Sequence, residues 1–162
     1  MSVSPNNSFM TSIGVGASIL SIRIGVLHLL TARERIMTGN MAQEQDKYHW
    51  LGGLLKIVLG CVEGTNLGGP AFIERCERTA KGAAENEPFF LILALAGASM
   101  GSVPTELGTT LVQTFVAARC GHTIAYLLGE KLNTTFRTIS FVTGLGCTFA
   151  MGVLILKSSK SS

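Results

Sequence analysis

Apolar residues gather in four long runs: Ser12–Leu30, Pro88–Val103, Leu107–Leu128 and Ile139–Leu156. A helix rises about 1.5 Å per residue, so roughly 17–25 residues cross the hydrocarbon core of a bilayer. The second run reaches that length by extending upstream through Ala83, Ala84 and Glu85, with a kink near Pro88. Gly64–Gly69 and Pro70 break the chain before that extension. The pattern predicts an all-α fold, an integral membrane four-helix bundle forming one domain over residues 1–162. Its helices are expected at about 9–36, 72–100, 105–128 and 134–157. A fifth run, Trp50–Val62, has 13 residues and contains Lys56. It is short for a span and predicts an interfacial helix within residues 48–63, with Trp50 at the headgroup level.

Polar residues interrupt these runs in a pattern. Arg119, His122 and Tyr126 sit inside the third at spacing i, i+3, i+7, which puts them on one helical face. An arginine at a helix centre in hydrocarbon costs roughly 2.5–3.5 kcal/mol, so such residues face a bundle interior or a wet cavity and commonly mark function. A buried network that only fixes helix packing is the alternative. Arg23 interrupts the first run in the same way. A second stripe, Arg75, Arg78, Lys81 and Glu85, is spaced 3, 3 and 4 and covers an arc of about 120° on a helix. Glu85 lies near the apolar run and calls for a cation partner, with Lys81 or Arg78 in reach.

Composition agrees with the membrane reading. Charged residues make up 14% of the chain and mean hydropathy is +0.41, against about 25% charged residues in an ordinary soluble domain. No basic residue precedes Arg23, so the start does not resemble a cleaved secretory signal, and the first helix is expected to stay. The first connection, with its flanks, carries Arg33, Arg35, Lys47, Lys56, Arg75, Arg78 and Lys81. The second carries no cation, and the third carries Lys131 and Arg137. The positive-inside rule places the first and third in the cytosol and both termini outside or in a lumen, with Lys157 and Lys160 counting against it. The net charge of +3 fits attraction to anionic lipid, and nothing points to nucleic acid. Cys61, Cys76, Cys120 and Cys147 form no C-x-x-C pair and no cluster with histidine, so neither a disulfide framework nor a metal site is expected.

If the helices bundle, their cytosolic end gathers Arg35, Arg75, Arg78, Lys81 and Arg137 against few acids. That end suits a small anionic ligand bearing carboxylates or a thiolate, with an apolar partner supplied from lipid.

Two blocks carry a resemblance. One is Glu74–Arg75–Cys76–x–Arg78 followed by Glu85–Asn86 and Pro88–Phe89. The other is Ala118–Arg119–x–x–His122–Thr123–x–Ala125–Tyr126–Leu127 followed by Arg137. With these, the chain resembles the membrane-associated proteins of eicosanoid and glutathione metabolism. It is most similar to their microsomal glutathione transferase and prostaglandin E synthase branch. The resemblance implies a homotrimer in the endoplasmic reticulum or a related membrane, with glutathione bound near the cytosolic face between subunits. It implies that Arg35, Arg78 and Lys81, with Arg75 beside them, pair with the glutathione carboxylates, and that Glu85 accepts the γ-glutamyl amine. His122 and Tyr126 would line the tripeptide site and Arg119 would support it from within the bundle. Arg137 would stabilise the thiolate, with Thr138 as a hydroxyl donor. The second substrate would be a lipophilic electrophile or a lipid hydroperoxide.

The chain departs from the family pattern at several positions. Ala80, Gly82 and Ala83 stand where the family commonly has a His–x–Asn–Asp run, and one residue fewer separates Asn86 from Pro88. That deletion turns upstream residues by about 100° on a helix. Lys81 replaces an arginine of one branch and makes no bidentate fork. Thr138 stands for the serine, and Phe141 for a last-helix tyrosine, of the prostaglandin E synthase. These differences favour a general glutathione transferase or peroxidase over an isomerase. A non-catalytic lipid-binding scaffold of the same fold is the rival. A small transporter subunit is a remote third reading, without a broken helix pair or inverted repeat behind it.

Overall fold

The computed structural model describes residues 5–38, 69–128 and 134–160. Four helices make up the described chain: α1 (Pro5–Thr38), α2 (Gly69–Ser99), α3 (Thr105–Leu128) and α4 (Thr134–Ser159). The fold is all-α with four helices, as the apolar pattern predicts. The Trp50–Val62 run and its expected interfacial helix lie outside the described residues. Within α1, Asn7–Arg35, and within α4, Thr135–Ser159, are long and apolar enough to cross a membrane. Both keep large apolar side chains on their outer faces, among them Ile22, Leu29, Phe149 and Leu156. A helix apolar all round is at home in lipid rather than in water.

Local chemistry sets the helix ends. Pro5 opens α1, where its missing N–H has no intrahelical partner to lose. Gly101 ends α2 with a left-handed φ of 61°, which glycine adopts without a Cβ clash. Ser102 N–H then donates to the Gly97 carbonyl at 3.1 Å and Gly101 N–H to the Ala98 carbonyl at 3.3 Å. This is a Schellman closure, and it turns the chain directly into α3. Pro88 lies inside α2 and withdraws one N–H from its ladder, yet the helix runs through it.

The described residues group into two compact units, Met1–Arg23 with Gly82–Ser162, and Ile24–Lys81. The first unit is centred on Phe9, Ile13, Leu20, Phe90, Ala94, Val112, Phe115 and Met151. Phe90 and Phe115 stack with ring centroids 3.8 Å apart and planes 8° from parallel. Gly108 lets α3 lie directly on the Phe9 ring, where a Cβ would fall 2.5 Å from a ring carbon. A buried polar layer sits toward one end of this core and is described below.

The second unit buries Leu27, Phe72, Ile73 and Cys76. It also buries Glu34 completely, whose Oε1 accepts the Gly69 N–H at 2.8 Å. The first turn of a helix leaves its N–H groups without partners. Glu34 satisfies one of them, from 35 residues upstream, and so anchors the start of α2.

Candidate functional site

In the first unit, three helices deliver charge to one buried point. Arg119 of α3 is 4% exposed and Glu87 of α2 is 3% exposed. Glu87 Oε1 accepts from Arg119 Nε at 3.2 Å and is also paired with Arg23 Nη2 of α1. Arg23 Nη1 donates to the Arg119 carbonyl and to Thr123 Oγ1, each at 2.8 Å. Arg119 Nη2 reaches the Gly82 carbonyl at 3.3 Å. Among the described residues, one carboxylate thus serves two guanidinium groups. Glu87 Oε2 and Arg23 Nε are buried without a hydrogen-bond partner among the described residues.

One turn further along α3, His122 and Tyr126 meet the start of α4. His122 Nδ1 lies 3.3 Å from the Arg137 carbonyl. A carbonyl only accepts, so this contact assigns the proton to Nδ1 and leaves Nε2 as an acceptor. The His122 and Tyr126 rings are 4.9 Å apart and tilted by 51°. The Arg137 guanidinium stands over the Tyr126 ring, 4.9 Å from its centroid, in a cation–π contact. Arg137 Nε is buried and has no hydrogen-bond partner among the described residues. Arg137 also falls in the first turn of α4, where the helix dipole adds positive partial charge. Thr138 follows it on the exposed side of the helix.

The sequence-predicted residues therefore divide. His122, Tyr126 and Arg137 come together in the first unit, with Arg119 buried one turn before His122 and Thr138 next to Arg137. Arg35, Arg75, Arg78 and Lys81 belong to the second unit. There Arg35 pairs with Glu77, and Arg78 pairs with Glu74 at 2.5 Å, not with Glu85. The Arg75 guanidinium lies 5.9 Å from the centroid of the Phe72 ring. Lys81 and Glu85 are exposed.

Sequence reading passed over Glu87. The motif match drew attention to Glu85, but two positions along a helix are about 200° of rotation. Glu85 faces out and Glu87 faces the core. The available signal was electrical: Arg23 and Arg119 both sit in apolar runs, and Glu87 is the acid that directly precedes the apolar run at Pro88.

Beside this layer lies a cavity of about 190 Å³, bounded by Arg119 and Phe115 of α3, Asn86 and Phe89 of α2, and Phe141, Leu145 and Thr148 of α4. Comparison with curated proteins finds no match. The family model for MAPEG, the membrane-associated proteins of eicosanoid and glutathione metabolism, matches residues 17–157. That stretch takes in the buried arginines, the His122–Tyr126–Arg137 group and every described helix in whole or in large part, and the chain belongs to the MAPEG family.

Proposed function

We propose that this protein is a membrane glutathione transferase that joins glutathione to lipophilic electrophiles. Membership of a glutathione-related membrane family supports the reading in general. The observation that carries it is Arg137, a guanidinium held over Tyr126, with a buried Nε that no group among the described residues engages. An unengaged donor on a fixed cation fits a soft anion such as a thiolate.

A free thiol has a pKa near 8.5, so only a few per cent is ionised at neutral pH. Glutathione supplies the sulfur nucleophile, and the protein's task is to favour its ionised form. Arg137 does this by charge and never gives up its own proton. Tyr126 holds the guanidinium over its ring face. His122, held through Nδ1 by the Arg137 carbonyl, presents Nε2 as an acceptor. Arg35 and Arg78 suit the peptide carboxylates by bidentate pairing, in competition with Glu77 and Glu74. Arg75 and Lys81 add positive charge to that surface, and Glu85 is exposed for an ammonium group. Thr138 places a hydroxyl next to Arg137. The apolar outer faces of α1 and α4 admit a second substrate from the bilayer, a lipophilic electrophile or a lipid hydroperoxide. We further propose a homotrimer in an endoplasmic reticulum or related intracellular membrane, with the site toward the cytosol, where the cation-rich connections lie.

The test is thiolate absorbance in the ultraviolet on adding glutathione to detergent-solubilised protein, wild type and Arg137→Ala. A signal in wild type that is lost in the variant is the expected result. An equal signal in both removes the role of Arg137. No signal in wild type at saturating glutathione overturns the reading in favour of a lipid-binding scaffold.

A further inference from the structure

We propose that Arg23 is a positioning residue: its guanidinium sets the rotation of α3 about its own axis and so holds His122 on the Arg137 carbonyl. The kinetic consequence rests on the glutathione reading, whereas the hold on His122 exists without any ligand.

Arg23 grips two helices from a third. Nη2 pairs with Glu87 of α2, and Nη1 donates to the Arg119 carbonyl and to Thr123 Oγ1 of α3, each at 2.8 Å. A guanidinium Nη carries two N–H groups, so both bonds to α3 form together. Thr123 Oγ1 in turn donates to the Arg119 carbonyl at 3.1 Å, which closes a ring of three bonds around one turn of α3. Arg119 and Thr123 are each 4% exposed, so water does not compete for them. The planar fork is needed, because a lysine is a point donor and does not span the same acceptors.

Arg119, His122, Thr123 and Tyr126 fall within an arc of about 100° on α3. A rotation that breaks the Arg23 bonds therefore also swings His122 and Tyr126 away from Arg137. The other contacts of this turn tolerate rotation. His122 Nδ1 lies 3.3 Å from the Arg137 carbonyl, beyond the roughly 2.7–3.2 Å of a good N–H···O bond. The His122 and Phe141 rings are 6.0 Å apart and tilted. Gly121 of α3 and Gly144 of α4 lie in the contact between those helices, and neither has a side chain to interlock. The short, charge-assisted bonds of Arg23 are thus the firmest hold on this turn, and the weaker His122 contact follows them.

Imidazole ¹⁵N NMR of the full-length protein in detergent, without glutathione, tests the hold, with His122 assigned by its loss in His122→Gln. Wild type is expected to carry the His122 proton on Nδ1. Thr123→Val, which alters no charge, and Arg23→Lys, which keeps the charge and loses the fork, are expected to move it toward Nε2. Thr123→Ser keeps the hydroxyl and is expected to match wild type. Should Arg23→Lys fail to fold, Thr123→Val decides. With glutathione and a chromogenic electrophile, kcat of Thr123→Val is expected to fall about tenfold or more, since a misplacement of about 1 Å can cost on the order of 10²-fold. Its glutathione KM is expected to stay within about twofold, because the misplaced groups act on the sulfur rather than on the peptide. A wild-type His122 protonated on Nε2 would overturn the proposal. So would a wild-type tautomer in Thr123→Val, whether kcat is unchanged or falls together with a rising KM. A tautomer that moves as expected, with no thiolate signal from glutathione even in wild type, would uphold the hold on His122 and overturn the glutathione reading instead.

Discussion

Glu87 and Arg119 form a buried ion pair, Oε1 to Nε at 3.2 Å, with both side chains 4% exposed. Each comes from an apolar helix, and each depends on the other for its burial. Arg23 shares the same oxygen, so among the described residues Glu87 is the one acid paired with both cations.

Removing that counter-charge is costly. Glu87→Ala is expected to destabilise the protein by about 3–5 kcal/mol, the cost of stranding a buried partner. Glu87→Gln keeps the shape and loses the charge, and should fall between it and wild type. Thermal unfolding in detergent measures the series. A midpoint for Glu87→Ala equal to wild type would contradict the pairing.

The Tyr126 contact with Arg137 is made by the ring face, not the hydroxyl. Tyr126→Phe should therefore leave Arg137 in place, while Tyr126→Ala loses about 0.5–2 kcal/mol of cation–π attraction. Conjugation rates at saturating glutathione separate the two. Equal loss in both variants would assign the role to the hydroxyl instead.

Arg137→Ala should lower kcat/KM on the order of 10²-fold, the scale set by losing one group that stabilises developing or held negative charge. Arg137→Lys keeps the charge but not the forked guanidinium donors, and should recover part of the loss. Steady-state kinetics with a chromogenic electrophile gives the comparison, and an unchanged rate in Arg137→Ala would count against the site.

Arg35 and Glu77 pair in a partly exposed setting, with side chains 30% and 49% exposed. Pairs of this kind contribute about 0–1 kcal/mol. Glu77→Gln should leave the unfolding midpoint nearly unmoved and tighten glutathione binding by a few-fold, because a competitor for Arg35 is gone. Titration calorimetry would detect it, and weaker binding would mean that Glu77 assists the ligand.

Gly108 is fixed by packing rather than by backbone conformation. Gly108→Val drives side-chain atoms into the Phe9 ring, at about 1–3 kcal/mol for overpacking. Adding Phe9→Leu should restore part of the stability. An additive double variant in thermal unfolding would show that the two residues do not meet.

The membrane-length runs and the stripe of Arg119, His122 and Tyr126 were legible in the sequence because they follow from periodicity. Four helices result, and α3 carries that polar stripe. Arg137 near the start of the last helix was legible from its motif. Pairing was not legible. Arg23, Glu87 and Arg119 are separated by 64 and 32 positions, and no local rule links residues that far apart. Glu85 and Glu87 differ by two positions, and which of them turns inward depends on the rotation of the helix about its axis.

By itself, the sequence determined the class of this protein, because apolar length and helical period are properties of single segments. It also determined which polar residues had to be accounted for, because charge in an apolar run is costly wherever the run is placed. The tertiary structure decided which acid answers which cation, and that Arg137 rests on Tyr126. Those outcomes depend on distances between helices, and such distances are set only when the side chains pack.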